Sequence, residues 1–259
     1  MYSQLQVLYW LIARNMKVLK KELPSLIFDS IFSLLLHLFL FIKIFPLFGI
    51  SFEFIPSIFL GTAVLWVLFM QGDSYCLDIS NDLQGARVID YHLTLPISKQ
   101  LLLLSYAITY MLQTTIIALP SIVIGVYVLS LYAPNVLLTW TPFLMYFFVV
   151  EAFCALFFLS LAFRYSFLWL LTNLWARRLG PMFCFGAASA PWYYMVKKLP
   201  LMSCIALCNP ATYIAEGLRS TMLTGAFLPV SICCVALVVI AGISYVMLLS
   251  GIKAKLDAI

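Results

Sequence analysis

Six long apolar stretches alternate with shorter polar connections along the chain. An α-helix needs about 20 apolar residues to cross the hydrocarbon core of a bilayer, and most of these stretches approach or exceed that length. The pattern therefore predicts an all-α polytopic membrane protein with six transmembrane helices. The predicted spans are residues 25–45, 54–70 with one further turn to 75, 101–129, 138–163, 179 to between 192 and 195, and 227–249. Residues 167–175 could be an interfacial helix or the start of the fifth span, and the favoured interpretation places Arg177 and Arg178 at the membrane interface, just before that span.

The first residues have a different pattern. Between residues 4 and 21, apolar side chains recur at helical spacing, while basic side chains gather on the opposite side. An amphipathic helix of this kind lies along a membrane surface rather than across it. With Pro24 following, the pattern predicts an N-terminal interfacial helix at 4–21 that ends before the first span.

The longest clearly polar stretch is residues 78–99, between the second and third predicted spans. Its charged and conformationally special residues include Asp82, Gly85, Arg87, Asp90 and Pro96. The charges offer a surface for a partner, the glycine permits close approach, and the proline stiffens the entry to the third span. By itself the pattern leaves two interpretations open, an ordinary solvated loop or a surface that contacts a partner protein.

A second distinctive stretch precedes the last span. Asn209 is a good helix N-cap and Pro210 suits the first helical position, so a helix is predicted from there to about Met222. This helix is too short to cross a bilayer. Glu216 and Arg219 fall one turn apart and can neutralise each other at an interface. The pattern predicts a helix that dips into the membrane from one side.

Composition supports a membrane protein, because 64% of the residues are hydrophobic and only 10% are charged, against about 25% charged in a soluble domain. The net charge of +5 does not indicate nucleic acid, since Lys and Arg orient membrane helices. Placing both termini in the cytoplasm leaves 11 of the 15 Lys and Arg residues inside and four outside, namely Lys43, Lys197, Lys198 and Arg219. Residues 78–99 are then cytoplasmic, and residues 196–222 form an external re-entrant segment.

Two stretches resemble elements of one known family. Asn209-Pro210-x-Thr212-Tyr213, followed by Arg219, resembles the element before the last transmembrane helix of ABC-2 type exporter permeases. Residues 82–98, which end in Leu-Pro-Ile-Ser, are similar to the family's cytoplasmic connection between the second and third spans. The N-terminal helix resembles the family's connector helix. The chain departs from the family where Asp82, Gln84 and Asp90 replace a Glu-rich connection, and this leaves open which residues make contact there.

The resemblance implies a transport subunit rather than an enzyme. No Gly-x-x-x-x-Gly-Lys-[Ser/Thr] motif is present, so ATP and Mg²⁺ are expected on a separate cytoplasmic ATPase subunit and no cofactor on this chain. Residues 78–99 are then the expected coupling segment, which passes movement of the ATPase to the spans through Asp82, Gly85, Arg87, Asp90 and Pro96. The resemblance further implies a second permease copy, as a homodimer or with a related partner, in the lipid bilayer of a bacterial inner membrane. Polysaccharide, lipid, drug or peptide would all suit as cargo.

Two acidic residues within the predicted spans leave an alternative open. Glu151 could contact substrate or carry a proton, although pairing with a polar neighbour on another helix is the favoured interpretation. Together with Asp29, it would suit a proton-coupled secondary transporter. Against that alternative, the chain is short for the class and shows no inverted repeat of hydropathy.

A membrane-embedded enzyme is a third possibility that the motifs do not favour. The chain has neither His-Glu-x-x-His nor Gly-x-Ser-x-Gly, so no catalytic residue is expected. A metal site is not expected either, because His37 and His92 are the only histidines and are predicted at different levels.

Overall fold

The computed structural model describes residues 4–85 and 98–256, and these ranges are almost entirely helical. The α-helices are α1 (Gln4–Phe39), α2 (Ile55–Gln84), α3 (Lys99–Ser130), α4 (Trp140–Arg164), α5 (Phe167–Leu174), α6 (Gly180–Phe185), α7 (Trp192–Lys198), α8 (Pro200–Leu207), α9 (Pro210–Met222) and α10 (Val230–Leu256). A π-helical turn, Trp175–Leu179, joins α5 to α6. Two further turns, Leu40–Ile44 and Phe45–Phe48, continue α1.

Within the described ranges, five helical stretches are long and apolar enough to cross a membrane. They are Gln4–Phe48, Ile55–Gln84, Lys99–Ser130, Trp140–Arg164 and Val230–Lys253. The prediction of an all-α membrane protein is therefore confirmed at this level. Five of the six predicted spans have a counterpart among these helices, and the predicted fifth span does not.

The predicted break at Pro24 is wrong, because α1 runs without interruption from Gln4 to Phe39. Its 36 residues extend about 54 Å at about 1.5 Å per residue. Contacts with α3 hold α1 on both sides of the proline, where a backbone hydrogen bond is lost. Asn15 Nδ2 donates to Thr109 Oγ1 at 3.3 Å, and the Ser30 hydroxyl lies 2.7 Å from that of Ser121. The interfacial placement of residues 4–21 stays a prediction.

The second span continues farther than predicted. α2 extends to Gln84, so Asp82 lies on a helix rather than in a loop, and Gly85 ends that helix. Burial explains the extension, because Ile79, Ser80 and Leu83 pack inside the bundle and hold the last turns. Three of the predicted contact residues, Arg87, Asp90 and Pro96, lie outside the described residues.

The helix predicted to begin near residue 179 begins earlier in the structure. The helical stretch starts at Phe167, includes Arg177 and Arg178 in its π-helical turn, and ends at Phe185. Side-chain contacts show that it runs antiparallel to α2. In chain order, these contacts pair Tyr165 with Ser80, Trp175 with Asp73 and Phe183 with Trp66. Both arginines lie within this helical stretch rather than before it, and both are exposed at the surface of the chain.

The centre of the bundle is α2, which packs against α1, α3, α4, α5 and α9. Helix α10 packs mainly on α4, and α1 mainly on α3. The outer faces of α1 and α10 carry exposed apolar side chains, including Phe32, Leu35, Val235 and Val239. Such surfaces are typical of helices that face lipid or another subunit.

Candidate functional site

Helix α9 begins where the sequence predicts. Asn209 has an extended backbone, and its Oδ1 accepts a hydrogen bond from the Ala211 N–H at 3.0 Å. Its Nδ2 donates to the carbonyl oxygen of Met182 in α6 at 2.8 Å. Pro210 takes the first helical position, where the backbone N–H that proline lacks would have no partner within the helix. The predicted start at Asn209-Pro210 and end at Met222 are confirmed.

The next turn of α9 binds the segments that precede it. The Thr212 hydroxyl donates to the carbonyl oxygen of Ala206 at 2.6 Å and accepts from the Ala187 N–H at 3.2 Å. The Tyr213 hydroxyl donates to the carbonyl oxygen of Leu207 at 2.7 Å. These bonds satisfy carbonyl groups at the end of α8, where a helix leaves its last acceptors without partners. The start of α9 is thereby fixed to α8 and to the connection after α6.

Glu216 and Arg219 form the predicted ion pair, with Nη1 of the arginine 2.8 Å from Oε1 of the glutamate. Both side chains are 0% exposed, so the pair lies inside the bundle, while its level relative to a membrane interface stays a prediction. They lie on the face of α9 that packs against α2, α4 and α10. A buried pair needs further hydrogen bonds to offset its lost hydration.

Backbone carbonyl oxygens provide those bonds for the arginine. Nε of Arg219 donates to the carbonyl oxygen of Ser57 in α2 at 2.8 Å. Nη1 and Nη2 donate to the carbonyl oxygens of Ala187 and Ala188, respectively. The guanidinium thus joins the start of α2 to the connection between α6 and α7. Burial lowers the pKa of Arg219 below its ordinary value, and the Glu216 carboxylate opposes that change.

The carboxylate of Glu216 binds two further backbone groups. Its Oε1 accepts from the N–H of Trp192, the first residue of α7, at 3.0 Å. Its Oε2 accepts from the N–H of Leu228, before α10, at 3.1 Å. The pair therefore connects α2, α7, α9 and the approach to α10. We call Glu216, Arg219 and these backbone partners the α9 network.

Two glycines allow the close packing around this network. A Cβ atom at Gly61 would overlap the Ala188 carbonyl oxygen and Nη2 of Arg219. A Cβ atom at Gly217 would overlap the ring of Tyr146, whose hydroxyl donates to the Tyr213 carbonyl oxygen at 2.6 Å. These positions accept no larger residue without displacement of the network.

The two acidic residues of the alternative transport mechanism do not share surroundings. Glu151 is 0% exposed on α4, and its Oε2 accepts from the Thr115 hydroxyl of α3 at 2.7 Å. Its Oε1 has no hydrogen-bond partner within the described ranges. Asp29 is exposed on α1. The expected pairing of Glu151 with a polar neighbour on another helix is present.

The described end of the predicted contact segment adjoins a polar cavity. Asp82 lines a cavity of about 350 Å³ between α1, α2 and α3, together with Arg14, Glu22 and Asp78. Ser98 caps α3, because its Oγ accepts from the Leu101 N–H at 3.3 Å. Arg14 and Glu22 of α1 therefore line the same cavity as Asp78 and Asp82 of α2.

Sequence reasoning predicted Glu216 and Arg219 but missed all five backbone partners in the α9 network. The carbonyl oxygens of Ser57, Ala187 and Ala188 leave no signal, because almost every residue has such an acceptor. Gly61 did offer a signal, since a small residue in a membrane helix lets a neighbouring backbone approach closely. The described residues contain no group of three or more His, Cys, Asp or Glu residues that could hold a metal ion.

Comparisons with known protein families, with curated proteins and with solved structures found no match for this chain.

Proposed function

We propose that this chain is the transmembrane permease subunit of an ABC exporter. Two permease copies, identical or related, form the pathway, and a separate cytoplasmic ATPase subunit binds ATP and Mg²⁺. The observation that carries the proposal is the α9 element: a short helix, capped by Asn209-Pro210, stands before the last long helix and is bonded to α2 through Arg219. The cap residues Asn209 and Pro210 and the arginine of the ion pair, Arg219, are among those that resemble the family's element.

The course of α2 supports a mechanical role for it. Ser57, which accepts from Arg219, and Asp82 are 25 residues apart (82 − 57) on one unbroken helix, which is about 38 Å of helix axis. A partner that moves the 78–99 segment would move α2, and α2 would carry that movement to the α9 network. A chain without a phosphate-binding loop must receive its energy through such a contact.

We further propose a topology of six crossings. The stretch Phe167–Phe185 is the fifth, because it runs antiparallel to α2 along most of its length. Its arginines need not lie in hydrocarbon, since Nη2 of Arg178 donates to the Tyr165 hydroxyl at 2.9 Å, near the end of α4. Both termini lie in the cytoplasm of a bacterial cell, and residues 196–222 form the external re-entrant segment in the inner membrane.

Purification from native membranes tests the proposal. An affinity-tagged chain, cross-linked before solubilisation, should co-purify with an ABC ATPase and with a second permease copy. The charge-reversed double variant Arg87→Glu/Asp90→Lys should reduce the recovered ATPase while membrane insertion stays normal, because oppositely charged surfaces guide such contacts. The purified chain alone should hydrolyse no ATP.

A matched variant separates this effect from a general change in charge. Lys43→Glu/Glu53→Lys also reverses one charge of each sign, at two exposed positions near the other end of α2, and should leave ATPase recovery unchanged. Absence of an ATPase from the wild-type complex, with transport that depends on a proton gradient, would favour the secondary transporter instead.

A further inference from the structure

The polar cavity of about 350 Å³ between α1, α2 and α3 carries an excess of negative charge. Its described lining residues include three carboxylates and one cation, namely Glu22, Asp78, Asp82 and Arg14. No lysine is among the described lining residues, so the lining has a net charge of −2. A concave surface of one sign concentrates ligands of the opposite sign. The cavity therefore favours a positively charged ligand.

Two of these carboxylates, those of Glu22 and Asp78, have no cation to offset their charge. Within the described ranges, neither side chain forms a hydrogen bond or an ion pair. The Glu22 carboxylate instead repels that of Asp78, and Asp82 follows Asp78 by one helical turn, where like charges also repel. Both Glu22 and Asp78 are exposed, so a ligand can reach them. A cation bound between them would replace repulsion with attraction.

A buried amide in the same cavity also lacks a partner. Gln113 is 8% exposed, and its side chain forms no hydrogen bond to any described residue. Its amide is not sealed inside the bundle, in contrast to Oε1 of Gln71, and it lines the cavity. A polar group that is buried without a partner is costly. An ammonium group carries only donors, which suits a lining of carboxylate and amide oxygens.

The acceptors are spread along the cavity rather than gathered at one point. The described residues contain no group of three or more His, Cys, Asp or Glu residues that could hold a metal ion. Asp78 and Asp82 are separated by about 6 Å along the axis of α2. Apolar side chains, those of Val18, Leu19 and Ile79, line the cavity as well. Two positive charges joined by methylene groups fit this lining better than one compact ion.

We propose that this cavity binds a linear aliphatic diamine or polyamine. The ammonium groups pair with the carboxylates of α1 and α2 and donate to the Gln113 amide oxygen, while the methylene groups lie against the apolar side chains. The ligand neutralises the lining and joins α1 to α2 at the described end of the 78–99 segment. The proposal concerns a binding site on the chain alone and does not rest on ATP-driven export, so either can fail without the other.

Isothermal titration calorimetry of the purified full chain in dodecyl maltoside tests the site. The buffer contains no amine, and its ionic strength is held constant because salt screens exposed charges. Putrescine, cadaverine and spermidine are the probes. Butylamine, which has a single ammonium group, and Mg²⁺, a compact dication, are the comparators. We expect saturable binding of at least one probe, about fivefold tighter than either comparator, the gain expected for one further partly exposed ion pair.

A pair of charge-matched double variants locates the binding. Glu22→Gln/Asp78→Asn removes the two unpaired carboxylates and should weaken the affinity for the best probe about 5- to 25-fold, the combined loss of two such ion pairs. Asp29→Asn/Glu53→Gln also removes two exposed carboxylates, but neither lines this cavity. The affinity of this control should not change.

A second pair of variants tests the buried amide. Gln113→Leu keeps a side chain of similar size without the amide and should weaken affinity about two- to fivefold, the loss of one hydrogen bond. Gln71→Leu changes a buried glutamine that lines a different cavity, so affinity should not change. The proposal is overturned if the folded wild-type chain binds none of the probes, if butylamine or Mg²⁺ binds as tightly as the best probe, or if the two members of either variant pair bind it equally.

Discussion

Two glutamates are completely buried in this bundle, and their surroundings differ. Glu216 has a cation at 2.8 Å, and both of its oxygens accept hydrogen bonds. Glu151 has one hydroxyl partner, Thr115, and one oxygen without any partner within the described ranges. Burial alone therefore does not distinguish their roles, whereas the number and charge of their partners do.

The difference indicates which acid is held as an ion. A buried carboxylate stays charged only when a partner charge and hydrogen bonds replace water, and Glu216 has both. Its three partners are Arg219 in α9, Trp192 at the start of α7 and Leu228 before α10. The Glu216 carboxylate therefore holds these three segments together. Glu151 joins only α3 to α4, and we expect its substitution to affect only the contact between these two helices.

Removal of the Arg219 cation should produce the largest loss of stability. Arg219→Leu leaves Glu216 as an uncompensated buried charge and frees three carbonyl oxygens, so unfolding should become easier by about 3 to 5 kcal/mol. Denaturant titration of the purified protein in detergent measures this change. Arg177→Leu removes an exposed arginine and should change stability by less than about 0.5 kcal/mol. Equal losses in both variants would contradict a special role for the α9 network.

Restoring the charge balance sharpens the test. The double variant Glu216→Gln/Arg219→Leu removes both charges, so it should be more stable than Arg219→Leu alone. Additive losses from the two single substitutions would mean that the pair contributes no coupling energy.

A smaller loss of stability is expected from a substitution that crowds the α9 network. Gly61→Ala places a methyl group where the Ala188 carbonyl oxygen and the arginine lie, and overpacking of this kind costs about 1 to 3 kcal/mol. Gly242→Ala is the control, because nothing lies within 4 Å of its added Cβ. Alanine is favoured over glycine in a helix by about 0.5 to 1 kcal/mol, so the control should be neutral or slightly stabilising. The same denaturant titration of both variants decides the point.

The parts of this site that depend on local chemistry were predictable from the sequence. Asn209 and Pro210 define the start of α9 through capping, and the spacing of Glu216 and Arg219 places them on one face. Their depth was not predictable, because the groups that satisfy them are backbone atoms such as the Ser57 carbonyl oxygen, 162 residues away.

Two helix boundaries, at Pro24 and near residue 179, were predicted wrongly for a related reason. Pro24 and the arginines at 177 and 178 are local signals for an end or an interface, but contacts between helices outweigh them. Bonds to α3 hold α1 on both sides of Pro24. The bond from Trp175 Nε1 to Asp73 at 2.8 Å fixes the π-helical turn beside α2. Such contacts depend on residues far away in the chain, which a local pattern does not report.

The smallest loss of stability should come from substitution of the second buried acid, Glu151. Glu151→Gln keeps an oxygen to accept from Thr115 and leaves an amide where an oxygen already lacks a partner. We therefore expect a loss of about 1 kcal/mol or less, whereas Glu216→Gln should approach the loss of Arg219→Leu because the buried arginine becomes uncompensated.

Transport measurements on Glu151→Gln extend the comparison to function. A glutamine cannot carry a proton, so a proton-coupled transporter that uses Glu151 would lose transport while its stability changed little. An ATP-driven permease in which Glu151 only joins α3 to α4 would keep its transport rate. Under the proposed function we expect transport to persist in Glu151→Gln, and its loss in a stably folded variant would show that the unpaired oxygen of Glu151 takes part in coupling.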